Sequence, residues 1–281
     1  MADKGVSRRR MLGAVALAGL SAACAEPARA PESRAAPPTA VAPISAPLAA
    51  PLPLPAAVAA RYESARPRQW GTQMPGIVDS FDAAGKQIAL TFDACGGPGN
   101  NDVDQDLLDF LTAQRIPCTL FLNRRWIDAD TDRVVRLAGN PLFELGNHGV
   151  AHRPLTVDGR AAYGVAGTVS ASEAADEVWS NHMRLIELTG RPPRFFRAGT
   201  AHYDDVGVAI ATDLGETPLG FTVNVDRGAT ANAAQVAATM KAAGPGAVTL
   251  AHIHRPRSGT GAGMVAALPA LRGAGFTFVH L

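Results

Sequence analysis

The sequence predicts an α/β fold, a barrel of about seven parallel strands alternating with helices. Two observations predict it. From about Arg61 to Leu281, short apolar runs alternate with longer segments of helical period, the pattern of βαβ units with right-handed crossovers. Polar residues of strong chemical character follow these apolar runs: Asp93, Asn147 with His148, Arg197, Asp226 and His252. Alternation alone fits either a closed barrel or an open doubly wound sheet. Parallel strands point their C-terminal ends one way, so in a barrel these distant residues converge on one mouth. An open sheet would spread them along an edge, and convergence therefore favours the barrel.

Each element follows from its own pattern. Gln87–Phe92 reads as a buried strand. Asp104–Gln114 reads as an amphipathic helix with Leu107, Leu108 and Leu111 on one face, and Cys118–Leu122 as the second strand. A helix over Asp130–Ala138 leads to a short strand at Leu142–Leu145. The longest helix is expected over Ser172–Leu188, capped by Ser170 or Ser172. Arg194–Phe196 is the fourth strand and Asp204–Asp213 the next helix. Strands at Leu219–Val225 and Ala247–Ala251 flank a helix at Ala231–Ala243. A glycine-rich loop, Ser258–Gly263, precedes a helix over Gly263–Arg272, and a strand at Phe276–His280 follows.

The first 60 residues stand apart. Ser7-Arg8-Arg9-Arg10 precedes an apolar run from Met11 to Ala23, too short to span a ~30 Å hydrocarbon core as a helix, so residues 1–24 read as an export signal of twin-arginine type. Leu20-Ser21-Ala22-Ala23-Cys24 resembles a lipoprotein box, and Ala28-Arg29-Ala30 offers an alternative cleavage site. Residues 25–60 are mostly Ala and Pro and read as an unpacked tether, leaving residues 61–281 as the folded domain. The expected location is the periplasm or cell envelope, with a lipid anchor if Cys24 is modified. The net charge of +1 offers no basic field for nucleic acid, and no Gly-x-Ser-x-Gly elbow marks a serine hydrolase. Oligomeric state is not legible.

The clearest chemical signal is His148-x-x-x-His152, a spacing that puts two imidazoles on one side of a turn, where they suit zinc and other borderline cations. At this point the chain resembles the polysaccharide deacetylases of the chitooligosaccharide deacetylase (NodB-homology) type. Leu90-Thr91-Phe92-Asp93 is similar to the first family motif, Gly146-Asn147-His148 through His152 to the second, Phe195–Gly199 to the third and Leu250-Ala251-His252 to the fifth. The run Thr91-Phe92-Asp93-Ala94-Cys95-Gly96-Gly97 resembles a bacterial branch of the family. The resemblance implies a deformed (β/α) barrel and hydrolysis of N-acetyl groups on a glycan, aided by a divalent metal, zinc by its donors, on His148 and His152. It implies Asp93 as general base, oriented by Arg197, and His252 as general acid. Asp226 would pair with His252 and raise its pKa.

The chain also departs from that pattern. The family carries a second, metal-binding aspartate where this sequence has Ala94. Two imidazoles are a thin set where three protein ligands are usual. Asp104 is the expected replacement; Asp93 serving both as base and ligand, or a weakened and inactive site, are the alternatives. An inactive carbohydrate-binding barrel and a hydrolase of another C–N bond are the competing functions. Cys95 is a softer candidate ligand, read here as a buried structural thiol. Cys95 and Cys118 lie at opposite ends of neighbouring strands, so no disulfide is expected between them. Arg124-Arg125-Trp126 is a candidate glycan contact, and His254 a further lining residue of the mouth.

Overall fold

A computed structural model describes residues 54–281. The expected export signal, Cys24 and most of the tether lie outside the described residues. The chain runs through α1 (Pro55–Tyr62), β1 (Trp70–Gly71), β2 (Gln87–Ala94), α2 (Gln105–Ala113), β3 (Cys118–Leu122), α3 (Arg124–Ala129), α4 (Thr131–Ala138) and β4 (Phe143–Asn147). It continues through α5 (Ala171–Thr189), β5 (Phe195–Phe196), β6 (Tyr203–Asp204), α6 (Asp205–Asp213), β7 (Thr217–Pro218), β8 (Val223–Asn224), α7 (Ala233–Lys241), β9 (Val248–His252), α8 (Thr260–Gly273) and β10 (Thr277–Val279).

Helix starts are written in the side chains. Asp104, Asn123, Asp130, Ser170, Asp204 and Asn232 each accept a first-turn N–H that the helix cannot satisfy itself. Ser170, not Ser172, caps α5. Residues 55–60 belong to α1 rather than to a tether: Val58 and Ala59 are buried in a cluster with Ala171, Ala174 and Val178 of α5. The Ala/Pro composition conceals this helix because proline is tolerated in its first turn.

Seven strands form a sheet in the order β7-β5-β4-β3-β2-β9-β8, with β10 paired to the start of β2, and every pairing is parallel. The edges β7 and β8 are nearly consecutive in the chain, separated by Leu219–Thr222. Five Cα steps span at most about 18 Å. Six flat interstrand spacings would span about 29 Å. The sheet must therefore curl, and the result is a half-barrel with its edges bridged by a short segment. The single strand expected over Leu219–Val225 is thus two: at Gly220 the chain crosses from one edge to the other, its carbonyl held by Arg197 Nη2 at 2.9 Å.

Alternation along the strands separates two surfaces. Ile88, Leu90, Phe92 and Ala94 of β2, with Leu120 and Leu122 of β3, pack outward with Leu107, Leu111, Met264 and Leu268 of the helices. Ala89, Phe121, Phe195, Leu219 and Val248 fill the interior. Asp93 shares the interior parity of Ala89, and His252 that of Val248. Of the expected loop at Ser258–Gly263, Thr260–Gly263 instead form the start of α8, where Gly263 allows close approach to Val236.

Candidate metal centre and active site

Parallel register sets Asp93 of β2 directly beside His252 of β9. Arg197, one residue past β5 and fully buried, reaches across the interior: Nη1 donates to Asp93 Oδ1 at 2.7 Å, Nη2 to the Gly220 carbonyl and Nε to that of Leu219. Three anchored bonds fix the guanidinium, and the guanidinium fixes the carboxylate. Asp93 is 4% exposed. Its other oxygen, Oδ2, lies 3.5 Å from His148 Nε2.

His148 is oriented from behind. Its Nδ1 lies 2.7 Å from the Arg197 carbonyl, which can only accept, so Nδ1 carries the proton and Nε2 is left to bind. Nε2 also lies 3.7 Å from Cys95 Sγ. The His152 ring meets the His148 ring edge to face with centroids 4.7 Å apart. His152 has φ 59°, and a Cβ on Gly199 would overlap its carbonyl, so a glycine is required there. The loop between the two histidines is tied down from two elements. Asn123 Nδ2 donates to the carbonyls of His148 and Gly149, while the Glu177 carboxylate of α5 accepts from the backbone of Ala151 and Arg153. Glu177 escapes a motif reading; its signal is a charged residue on the buried face of α5.

The third candidate donor is Cys95. Ala94 packs into the outer core, while Cys95 shares the interior parity of Asp93. Ligand atoms of Cys95, His148 and His152 all lie within 4.8 Å of one another. Burial opposes ionisation of the thiol, but hydrogen bonding with His148, His152, His252 and His254 outweighs it and holds the group well below an ordinary thiol. Burial likewise opposes charge on His148, yet the Asp93 carboxylate and Cys95 raise its pKa. A thiolate and two imidazoles fit a small divalent cation of borderline softness with one position open.

Asp104, expected as the replacement ligand, is not in this group. It is the N-cap of α2: Oδ1 accepts from Leu107 N–H at 3.0 Å, and the carboxylate packs against Gly261. The need of a helix start for an acceptor takes the side chain the sequence makes available to a metal. Trp126 is likewise no glycan contact: it is fully buried, its Nε1 bonded to the Asp102 carbonyl, and only Arg125 of that trio lines the cavity.

Across the mouth, Asp226 is fully buried and accepts three hydrogen bonds, from His252 N at 2.8 Å, His252 Nδ1 at 2.9 Å and Thr260 Oγ1 at 2.8 Å. Burial would raise its carboxyl, but bonds from His252 and Thr260 hold it below the ordinary value. Burial opposes charge on His252, and the Asp226 carboxylate together with Cys95 overrides this, raising its pKa well above an ordinary imidazole. His254 Nδ1 lies 3.3 Å from the Asp93 carbonyl. A cavity of about 650 Å³ opens here, lined by Asp93, Cys95, His152, His252 and His254 with Tyr163, Phe221 and Leu250. Cys95 and Cys118 are both free thiols, as their separation in the sheet dictates.

Residues 82–219 match the polysaccharide deacetylase family. The fold is similar to that of a CE4-family pseudoenzyme from Bacillus anthracis (21% identity, TM-score 0.61, 73% of this chain and 67% of that one). It is also similar to the family 4 carbohydrate esterase PdaA of Bacillus subtilis (19%, TM-score 0.58, 79% and 85%). A third similar structure is a family 4 acetyl xylan esterase from Clostridium thermocellum in complex with a cobalt ion (20%, TM-score 0.57, 69% and 87%). No curated protein sequence matches the chain. Residues 82–219 carry a polysaccharide deacetylase domain, set in a half-barrel similar in fold to those of family 4 carbohydrate esterases.

Proposed function

We propose that this protein is a metal-dependent hydrolase that removes N-acetyl groups from an extracytoplasmic glycan, with peptidoglycan as the candidate polymer. The observation that carries the reading is the convergence of Asp93, Cys95, His152 and His252 on one cavity at the strand C-termini, with His148 Nε2 3.5 Å from Asp93 Oδ2 and 3.7 Å from Cys95 Sγ. Cys95, His148 and His152 would hold the metal, zinc by its donors. When bound, the metal supplies Lewis acidity, lowering the pKa of water and polarising an acyl carbonyl.

The chain's own residues divide the remaining work. Asp93, oriented by Arg197, accepts a proton from the attacking water. His252, raised by Asp226, starts protonated and donates to the departing amine. Half-buried Phe221 and buried Leu250 give the cavity an apolar wall.

Residues 1–24 as an export signal, with Cys24 as a candidate lipid anchor, place this activity at the envelope in the same proposal. Ala94 favours a second reading, a carbohydrate-binding barrel without turnover, and fold does not decide between them because the half-barrel hosts a pseudoenzyme as well as esterases. The test is metal analysis of the purified protein followed by acetate release from N-acetylglucosamine oligomers. One divalent ion per chain and acetate release abolished by Asp93→Asn support the deacetylase. Glycan binding with neither metal nor acetate supports the second reading.

A further inference from the structure

The turn that carries the first metal histidine is held from behind by side chains the hydrolytic chemistry leaves unused. Asn147 ends β4, directly before His148, and is fully buried. Its Oδ1 accepts from the Gly149 N–H at 2.9 Å, an Asx turn that brackets His148. Gly149 has φ 73°, so the chain reverses here in the left-handed region that favours glycine. The same oxygen accepts from Asn181 Nδ2 at 2.8 Å. That nitrogen also donates to the Leu122 carbonyl, which takes the His148 N–H as well.

The other end of the Asn147 amide fixes this arrangement. Its Nδ2 donates to the Val178 carbonyl at 2.9 Å and to Glu216 Oε1 at 2.8 Å. With acceptors at one end and donors at the other, the amide fits only one way round. Glu216 Oε1 is shared with His182 Nδ1 at 2.8 Å, and the His182 ring stacks on Trp179 with centroids 4.9 Å apart and planes within 7°. Asn147, Asn181, His182 and Glu216 are all buried, and none of them lines the cavity.

Packing alone does not account for this cluster. A buried polar atom without a partner costs free energy. Among the described residues, Glu216 Oε2, His182 Nε2 and Asn181 Oδ1 have none. Apolar side chains of similar volume would join α5 to the sheet at lower cost. They could not aim the Asn147 amide, nor through it the turn at His148.

We infer that Glu216 and His182 are positioning residues for the metal centre, setting through Asn147 the turn on which His148 stands. The inference deepens the metal-dependent reading and rests on it.

The test reads metal binding, apart from turnover, with Co(II) as the probe. Affinity is measured by competition with a chromophoric chelator, and the visible ligand-field bands of the loaded protein are recorded. Both are taken at a temperature where circular dichroism shows each variant folded. Glu216→Met removes the acceptor and keeps an apolar side chain of similar length. It should weaken cobalt binding by about tenfold, the lower end of the usual effect of groups supporting a ligand, and shift the bands. Glu216→Gln keeps an acceptor for Asn147 and His182, and should restore affinity and bands close to those of the parent. His182→Phe keeps the stack on Trp179 and loses only the bond to Glu216; it should weaken binding in the same direction, and it decides the matter where Glu216→Met does not fold. Folded variants with the affinity and bands of the parent, whatever their thermal midpoints, overturn the inference while leaving the metal centre standing. Glu216→Gln as weak as Glu216→Met overturns it too. A parent chain that binds no cobalt sinks the metal reading and the inference together.

Discussion

Cys95 Sγ lies 3.7 Å from His148 Nε2, which places a thiol among the donors where the family's second aspartate is missing. The neighbouring residue, Ala94, is committed to the outer core, so the vacancy is answered one position later, at the next residue facing the interior. A thiolate is a softer donor than a carboxylate. The centre therefore combines a deacetylase-like pair of histidines with a ligand of different chemical preference.

Arg197 is the support on which Asp93 depends. Replacing it with Met leaves a buried carboxylate without its partner and orphans two carbonyls. Loss of one member of a buried ion pair costs about 3–5 kcal/mol. Urea unfolding of Arg197→Met should show a loss of that order, together with loss of acetate release. A midpoint equal to that of the parent chain would mean that the contact does not support stability, and unchanged acetate release that it does not support the base.

The Asp226–His252 pair sets the alkaline limb of the pH–rate profile, because His252 must be protonated to act as the acid. Removing the negative charge in Asp226→Asn takes away a principal contribution to the raised imidazole pKa and leaves that of Cys95. The alkaline limb of the pH–rate profile for acetate release should then move to lower pH by about one to three units, the usual effect of losing an adjacent opposite charge. An unmoved limb would assign the acid role to another group.

Glu177 tests whether the loop between the histidines must be held. Glu177→Ala removes the acceptor for the Ala151 and Arg153 amides. Supporting interactions of this kind typically change metal affinity by about 10–100-fold. Competition with a chromophoric chelator should show weakening in that range, with helix content retained by circular dichroism. Unchanged affinity would reduce Glu177 to a packing residue.

A second buried group gives stability a pH dependence away from the cavity. Burial pushes Glu216 up to about 7, against hydrogen bonds from His182 and Asn147 that act to lower it. Its folded pKa is above the unfolded value of 4.5, so its contribution is fully present below about 4.5 and is lost as pH rises through about 7. The midpoint of thermal unfolding should fall across that window, and Glu216→Gln should flatten the fall. An identical slope in the variant would place the titration elsewhere.

Much of this architecture is legible in sequence because strand ends carry it. Asp93, His148, Arg197 and His252 each follow an apolar run, and parallel pairing alone brings them together. The strand at Cys118–Leu122 is legible to the residue because both its faces are buried. What escapes the sequence is decided by competition between local demands. Asp104 looks like a spare carboxylate until a helix start claims it. Leu219–Val225 looks like one strand, because periodicity cannot show that the chain must cross between the edges of a curled sheet. Helix α1 hides in an Ala/Pro composition whose only branched apolar anchor within the helix is Val58. Cys95 is visible as a thiol, but its four surrounding imidazoles belong to two other segments of the chain and meet only in the fold.

The most direct test of the centre is the optical spectrum of the protein loaded with Co(II). With Cys95 as a ligand, the loaded chain shows a thiolate-to-cobalt charge-transfer band in the near ultraviolet; Cys95→Ser loses the band and binds metal more weakly, and Cys95→Asp recovers metal binding without the band. A parent chain that binds one cobalt ion per molecule with no such band, at an affinity that Cys95→Ser leaves unchanged, would contradict the thiolate centre.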